Sequence, residues 1–148
     1  MFKNYYEKCI IYAEVILIWL TLKKKSKKEK EQLIQDIETL CAIPSVYNEK
    51  TISENQPYGS ECRQALDAML AIGKRDGFVV HDENGYAGHI DIGDQEESFG
   101  ILGHLDVVPV DSRGWDSDPF KVVQANGKLY GRGVADDKGP FTCWILCC

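Results

Sequence analysis

A chain of 148 residues is long enough for one ordinary domain, and 44% hydrophobic with 27% charged residues is a globular composition. The net charge of -6 is unevenly spread: residues 1–30 hold eight lysines against three glutamates, and the rest carries nine basic against twenty acidic side chains. Such an acidic body offers no basic groove and excludes nucleic acid as a partner, while six cysteines with no CxxC pair and no even framework exclude a disulfide scaffold and point to a reducing cytoplasm.

Residues 1–26 read as an extension separate from the body formed by 27–148. Cys9 to Leu22 is an apolar run broken by Glu14 and Thr21 and followed by Lys23-Lys-Lys-Ser-Lys-Lys28. Its fourteen residues fall short of the about 20 that a membrane-spanning helix takes. The basic residues follow the run instead of preceding it, which is the wrong order for a secretory signal. A weak membrane anchor, an amphipathic helix packed on the body and an extension without a folded role stay open, with membrane association the less favoured. If the run inserted, the lysines behind it would leave the body in the cytoplasm.

From Lys27 to Ile43, Leu33, Ile37, Leu40 and Cys41 recur at three- and four-residue spacing, which predicts a helix stopped by Pro44. Residues 47–59 are polar with Asn, Gly and Pro and should form a surface loop. Ser60 is the expected N-cap of a second helix over Glu61 to Arg75 that buries Ala65, Leu66, Met69, Leu70 and Ile72, with Gly77 as its stop. Phe78 to Val80 and Tyr86 to Ile92 then read as a hairpin around the turn Asp82-Glu-Asn-Gly85. His81 and His89 flank that hairpin and, with nothing evident at ligand spacing, are not read as ligands.

Phe99 to Val108 is nearly continuously apolar, as in a central strand covered on two faces, and Pro109 ends it. Gly114 to Phe120 is a loop in which Trp115 and Phe120 pack and Asp116 and Asp118 serve the turn. Lys121–Gln124 and Lys128–Tyr130 flank Asn126-Gly127, a type I′ hairpin signal. Phe141 to Cys148 is apolar and stops within two turns, and is read as a truncation or an interrupted reading frame. There are no internal repeats.

Within the apolar run, His104 and Asp106 are two residues apart, so a strand places them on one face. That spacing suits a metal-binding histidine whose other ring nitrogen is held by a carboxylate. Taken alone, it suits better a buried strand with a satisfied histidine. The segment Gly131-Arg-Gly-Val-Ala-Asp-Asp-Lys-Gly-Pro140 puts Asp136 and Asp137 side by side in a glycine-rich bend, where paired carboxylates are costly without a cation. Alone, it is also an ordinary solvated turn.

Together, Gly103-His-Leu-Asp-Val-Val-Pro109, Gly114-Trp115, Asp118-Pro-Phe120, Tyr130-Gly-Arg-Gly133 and Ala135-Asp-Asp-Lys-Gly-Pro140 resemble the co-catalytic zinc amidohydrolases. That family includes aminoacylases, carnosinase-like dipeptidases and succinyl-diaminopimelate desuccinylase. Asp-Asp-Lys-Gly-Pro and the upstream Tyr86-Ala-Gly-His-Ile90 resemble most its PepV-type dipeptidase branch. The resemblance runs from about Lys27 to Pro140. It implies an α/β fold: the N-terminal part of a zinc-peptidase catalytic domain, a mixed sheet with flanking helices. It also implies that His104 ligates one zinc, that Asp106 is the catalytic-site carboxylate clamping its ring, and that Asp136 bridges two zincs, with cobalt or manganese as other acceptable metals. Asp137 follows across a bond that is often cis in the family. The implied substrate is a dipeptide or N-acyl amino acid. The family's Glu-Glu pair, further Asp and distant His are expected downstream of Pro140 and do not occur there, so the chain is expected to be a truncated and inactive fragment. The alternatives are a non-catalytic or partner-dependent remnant, a deacylase of the desuccinylase or aminoacylase type, and a membrane-tethered module.

Overall fold

Ser26 opens the first helix with a capping box. Its hydroxyl accepts from the Glu29 amide at 3.3 Å, and the Glu29 carboxylate accepts from the Ser26 amide at 2.7 Å. The computed structural model describes residues 26–94 and 96–147, so the extension expected over 1–26, apart from Ser26, and the apolar run from Cys9 lie outside the described residues. Helix α1 spans Lys27–Cys41 and buries Leu33, Ile37, Leu40 and Cys41, the stripe that its spacing predicts. It also buries Asp36, which composition alone would leave in water. Arg75 explains the exception: its guanidinium reaches both Asp36 oxygens, at 2.6 and 2.9 Å, and so ties α1 to the end of α2 (Ser60–Arg75).

Helix α2 begins one residue earlier than expected, with Gly59 instead of Ser60 at the N-cap, and buries Ala65, Met69 and Ile72. Behind it come the hairpin β1 (Val79–Asp82) with β2 (Gly88–Asp91) and the hairpin β3 (Val123–Ala125) with β4 (Lys128–Tyr130), each antiparallel. Asn126 and Gly127 have φ of 52° and 72°, the pair of positive values that a type I′ turn requires.

Helix α3 spans Lys138–Cys147 and starts two residues before Pro140, whose missing N–H is harmless in a first turn. Nearly every position is apolar, as in a helix buried on all sides. Cys143 joins Leu33, Ile37 and Cys41 in one cluster, while Ile145 joins Leu40, Met69 and Ile72 in another. The core therefore lies where α1, α2 and α3 meet.

The architecture is mixed α/β, as expected, but the sheet is smaller than the sequence suggested. Among the described residues, strands pair only within the two hairpins, and Phe99 to Val108 is extended without a ladder. Its faces are not covered: Phe99 is 86% and Leu102 99% exposed, and only Val107 is buried among its large apolar residues. An apolar run becomes a central strand only where neighbouring strands take up its N–H and C=O groups. Among the described residues, Ser45 and the Asp137 carboxylate take up such groups here, and neither belongs to a strand. No described helix is long and apolar enough to cross a membrane.

Candidate metal centre

Ser45 holds the His104 segment in place. The residue is fully buried after the Pro44 stop of α1; its hydroxyl donates to the Leu105 carbonyl at 2.6 Å, and its carbonyl accepts from the Val107 amide at 2.9 Å. These two bonds straddle Asp106 and keep the backbone extended, so His104 and Asp106 share a face.

The second support comes from α3. Asp137 sits at its start, where its carbonyl accepts from the Phe141 amide, and its Oδ2 accepts from the His104 amide at 3.3 Å. Gly103 makes this approach possible: a Cβ there would lie 2.6 Å from the Phe141 ring and 2.7 Å from Asp137 Oδ2. Gly139 plays the same part within the bend, since its Cβ would fall 2.0 Å from the Val134 carbonyl oxygen. The Asp136–Asp137 peptide bond is cis.

The imidazole of His104 thus stands between two carboxylates. Nε2 is 3.0 Å from Asp136 Oδ1, and Nδ1 is 3.2 Å from both the carbonyl and Oδ1 of Asp106. Burial alone would pull the imidazolium down, but the Asp136 and Asp106 bonds and charges outweigh it and hold His104 above its ordinary value. Desolvation raises the Asp137 carboxyl, against the His104 amide and charge. A proton on Nδ1 is donated in a hydrogen bond to Asp106, which leaves Nε2 free to bind either a proton or a metal facing Asp136. Two ligands of one tetrahedral zinc at about 2.0–2.1 Å stand roughly 3.3 Å apart, so the observed pair suits a shared ion after a shift of tenths of an ångström.

Beside this pair lies a cavity of about 550 Å³, bordered by Tyr47, Cys62, Met69, His89, His104 and Phe141. It is mostly apolar, with His104 and Asp106 at one side. Trp115, expected to pack in its loop, takes the Arg132 guanidinium over its ring at 5.4 Å. Asp118 serves its turn by accepting from the Phe120 amide at 2.9 Å.

The reading of His81 and His89 as unaccompanied is corrected. They are directly opposite each other in the β1–β2 register, and Asp91 Oδ2 lies 3.2 Å from His81 Nε2. The signal was present as His89-Ile-Asp91, which repeats the His104-Leu-Asp106 spacing. Pairing across the turn was what the linear reading missed. Ser45 carried no comparable signal, because its role depends on a contact sixty positions away.

Residues 100–148 match the model described as peptidase family M20/M25/M40. Over 113 residues, 76% of this chain, the sequence is 41% identical to the "Putative dipeptidase YtjP" of Bacillus subtilis (strain 168). Two staphylococcal proteins described in the same terms, from Staphylococcus saprophyticus and Staphylococcus aureus, are 45% and 44% identical over 78% and 80% of the chain. The chain spans about a quarter of the length of these relatives, 24%, 24% and 25% respectively.

Proposed function

We propose that this chain carries the first part of a metal-dependent peptide hydrolase centre, with His104 and Asp136 as metal ligands and Asp106 as the carboxylate that orients His104. The observation that carries it is the contact of His104 Nε2 with Asp136 at 3.0 Å while Nδ1 is already engaged by Asp106. The similarity to proteins described as putative dipeptidases supports a dipeptide as substrate, with the N-acyl amino acid implied by the motif resemblance as the second reading. Zinc suits a nitrogen and carboxylate donor pair best, with cobalt and manganese as alternatives.

A bound divalent ion would supply Lewis acidity and a water acidic enough to attack at neutral pH. The chain's own residues set the first ligands in place. Asp106 fixes the tautomer and orientation of His104, Asp137 and Ser45 hold its backbone from opposite sides, and Asp136 presents its carboxylate across the ring. The apolar cavity beside them would take a substrate side chain and exclude water from it. The division into residues 1–26 and a partial catalytic domain over 27–148 belongs to the same reading.

Zinc or cobalt titration of the chain, followed through the His104 ring resonances, tests this. His104 Nε2 should report metal binding, and His104→Ala or Asp136→Asn should remove that response. An unchanged response in Asp136→Asn would overturn the assignment.

A further inference from the structure

The β1–β2 hairpin has two faces set by its register. Val80 and Ile90 turn inward onto α2, where Ile90 packs against Gly73, and Asp82 pairs with Arg63 at 2.7 Å. The opposite face carries Val79 and His81 on β1 with His89 and Asp91 on β2, and all four are exposed. Alternation along a strand dictates this division. The two imidazoles are stacked, with ring centres 4.3 Å apart and planes 16° from parallel.

From this geometry we infer that His81, His89 and Asp91 form a surface binding site for a zinc-type transition-metal ion, built from residues other than His104 and Asp136. One donor atom from each residue lies within 4.8 Å of the others. Asp91 Oδ2 is 3.2 Å from His81 Nε2 and 3.9 Å from His89 Nε2. Donors of one tetrahedral zinc stand roughly 3.3 Å apart, so small side-chain rotations close the set. The backbone needs no movement, because the inner face, the Asp82–Arg63 pair and the tight turn at Asn84-Gly85 (φ 54° and 77°) fix the hairpin.

The donor set defines the ion. Two imidazoles and one carboxylate select zinc, copper, nickel or cobalt over magnesium and calcium, which take oxygen ligands. Exposure keeps the cost of placing charge there low and leaves open positions for water or another ligand. Glu83 Oε1, 3.9 Å from His89 Nδ1, is placed to hold that ring's second nitrogen once Nε2 is ligated. Asp91 also explains why two histidines face each other on a solvent-exposed surface: one carboxylate serves both.

The test is equilibrium zinc binding to the full chain carrying His104→Ala and Asp136→Asn, which silence the other pair. One zinc per chain should still bind, and magnesium at the same concentration should not displace it. Adding His81→Ala, His89→Ala or Asp91→Asn should each weaken binding at least about tenfold, since even an outer partner of a ligand is worth 10–100-fold. All three positions are exposed, and unchanged circular dichroism will show that the variants fold. The His81 and His89 ring resonances should both move on zinc addition. No zinc bound in the starting double variant, or binding unaffected by Asp91→Asn, would overturn the inference. Its failure would leave the reading of His104 and Asp136 untouched, because those residues are absent from every arm.

Discussion

The Ser45 hydroxyl donates to the Leu105 carbonyl at 2.6 Å, joining the end of the first helical segment to the stretch that carries His104 and Asp106. The bond is half-buried, with Ser45 itself fully buried, and Ser45 also takes the Val107 amide on its own carbonyl. Ser45→Ala leaves the half-buried Leu105 carbonyl without its donor, which should cost about 0.5–1.5 kcal/mol. Urea unfolding of the two proteins measures it. Because the same bond sets the direction of His104, metal binding at His104 should weaken in Ser45→Ala as well. Unchanged affinity would show that Asp137 alone positions the ring.

Gly139 and Gly103 set how closely the bend and the His104 segment meet α3. A methyl at 139 would meet the Val134 carbonyl oxygen at 2.0 Å, a backbone atom that cannot turn aside. Gly139→Ala should therefore destabilise by at least the about 1–3 kcal/mol typical of overpacking. Gly103→Ala meets the Phe141 ring and the Asp137 side chain, which can shift, so its stability loss should be smaller. Its effect on metal binding should be proportionally larger, because Asp137 loses its hold on the His104 amide. Paired thermal melts and zinc titrations separate the two outcomes.

These contacts mark how far the sequence could be read. The helices α1 and α2, both hairpins and the Asn126-Gly127 turn were legible, because each follows from local periodicity or turn chemistry. His104 and Asp136 were brought together as the motif resemblance implied. Residues 99–108 were misread as a central strand because an apolar run records what a segment can bury, not which strands lie beside it. The buried Asp36 was invisible for a similar reason: its partner Arg75 lies on another helix. The pairing of His81 with His89 required the hairpin register as well as the composition.

Cys41 gives a pH dependence with a definite sign. Burial pushes its thiol up from 9.0 to about 11, with the Lys138 charge opposing. In the unfolded chain the thiol ionises near its ordinary value, so between pH 9 and 11 the unfolded state binds fewer protons than the folded one. The stability contribution is therefore complete below pH 9 and is lost as pH rises toward 11, by about 2–3 kcal/mol. Lys138, taken down to about 8 by burial, acts in the opposite sense at alkaline pH, so the Cys41 effect is read as a difference. Wild type and Cys41→Ala should converge in stability from pH 8.5 upward, on the order of that amount by pH 11. Parallel stability curves would show that Cys41 does not hold its proton in the fold.

Catalysis by this chain is limited by its donor set. A catalytic zinc site takes three protein ligands and keeps one position for water, and the reaction also needs a base within hydrogen-bond reach of that water. Among the described residues, His104 and Asp136 present two donors to a common point, with Asp106 engaged at the far nitrogen of the ring. Two donors leave an ion largely hydrated and mobile, so its effect on the acidity of water is small. The His81, His89 and Asp91 set supplies three donors, but on an exposed hairpin face where, of the three, only His89 borders the cavity. Purified chain with zinc, cobalt or manganese should therefore hydrolyse dipeptides and N-acyl amino acids at close to the rate of the free metal ion. His104→Ala should change that rate little. Chelator-sensitive turnover well above background, lost in His104→Ala and Asp136→Asn, would show instead that these two ligands suffice or that a second chain completes the centre. Sedimentation of the active sample would then tell those two cases apart.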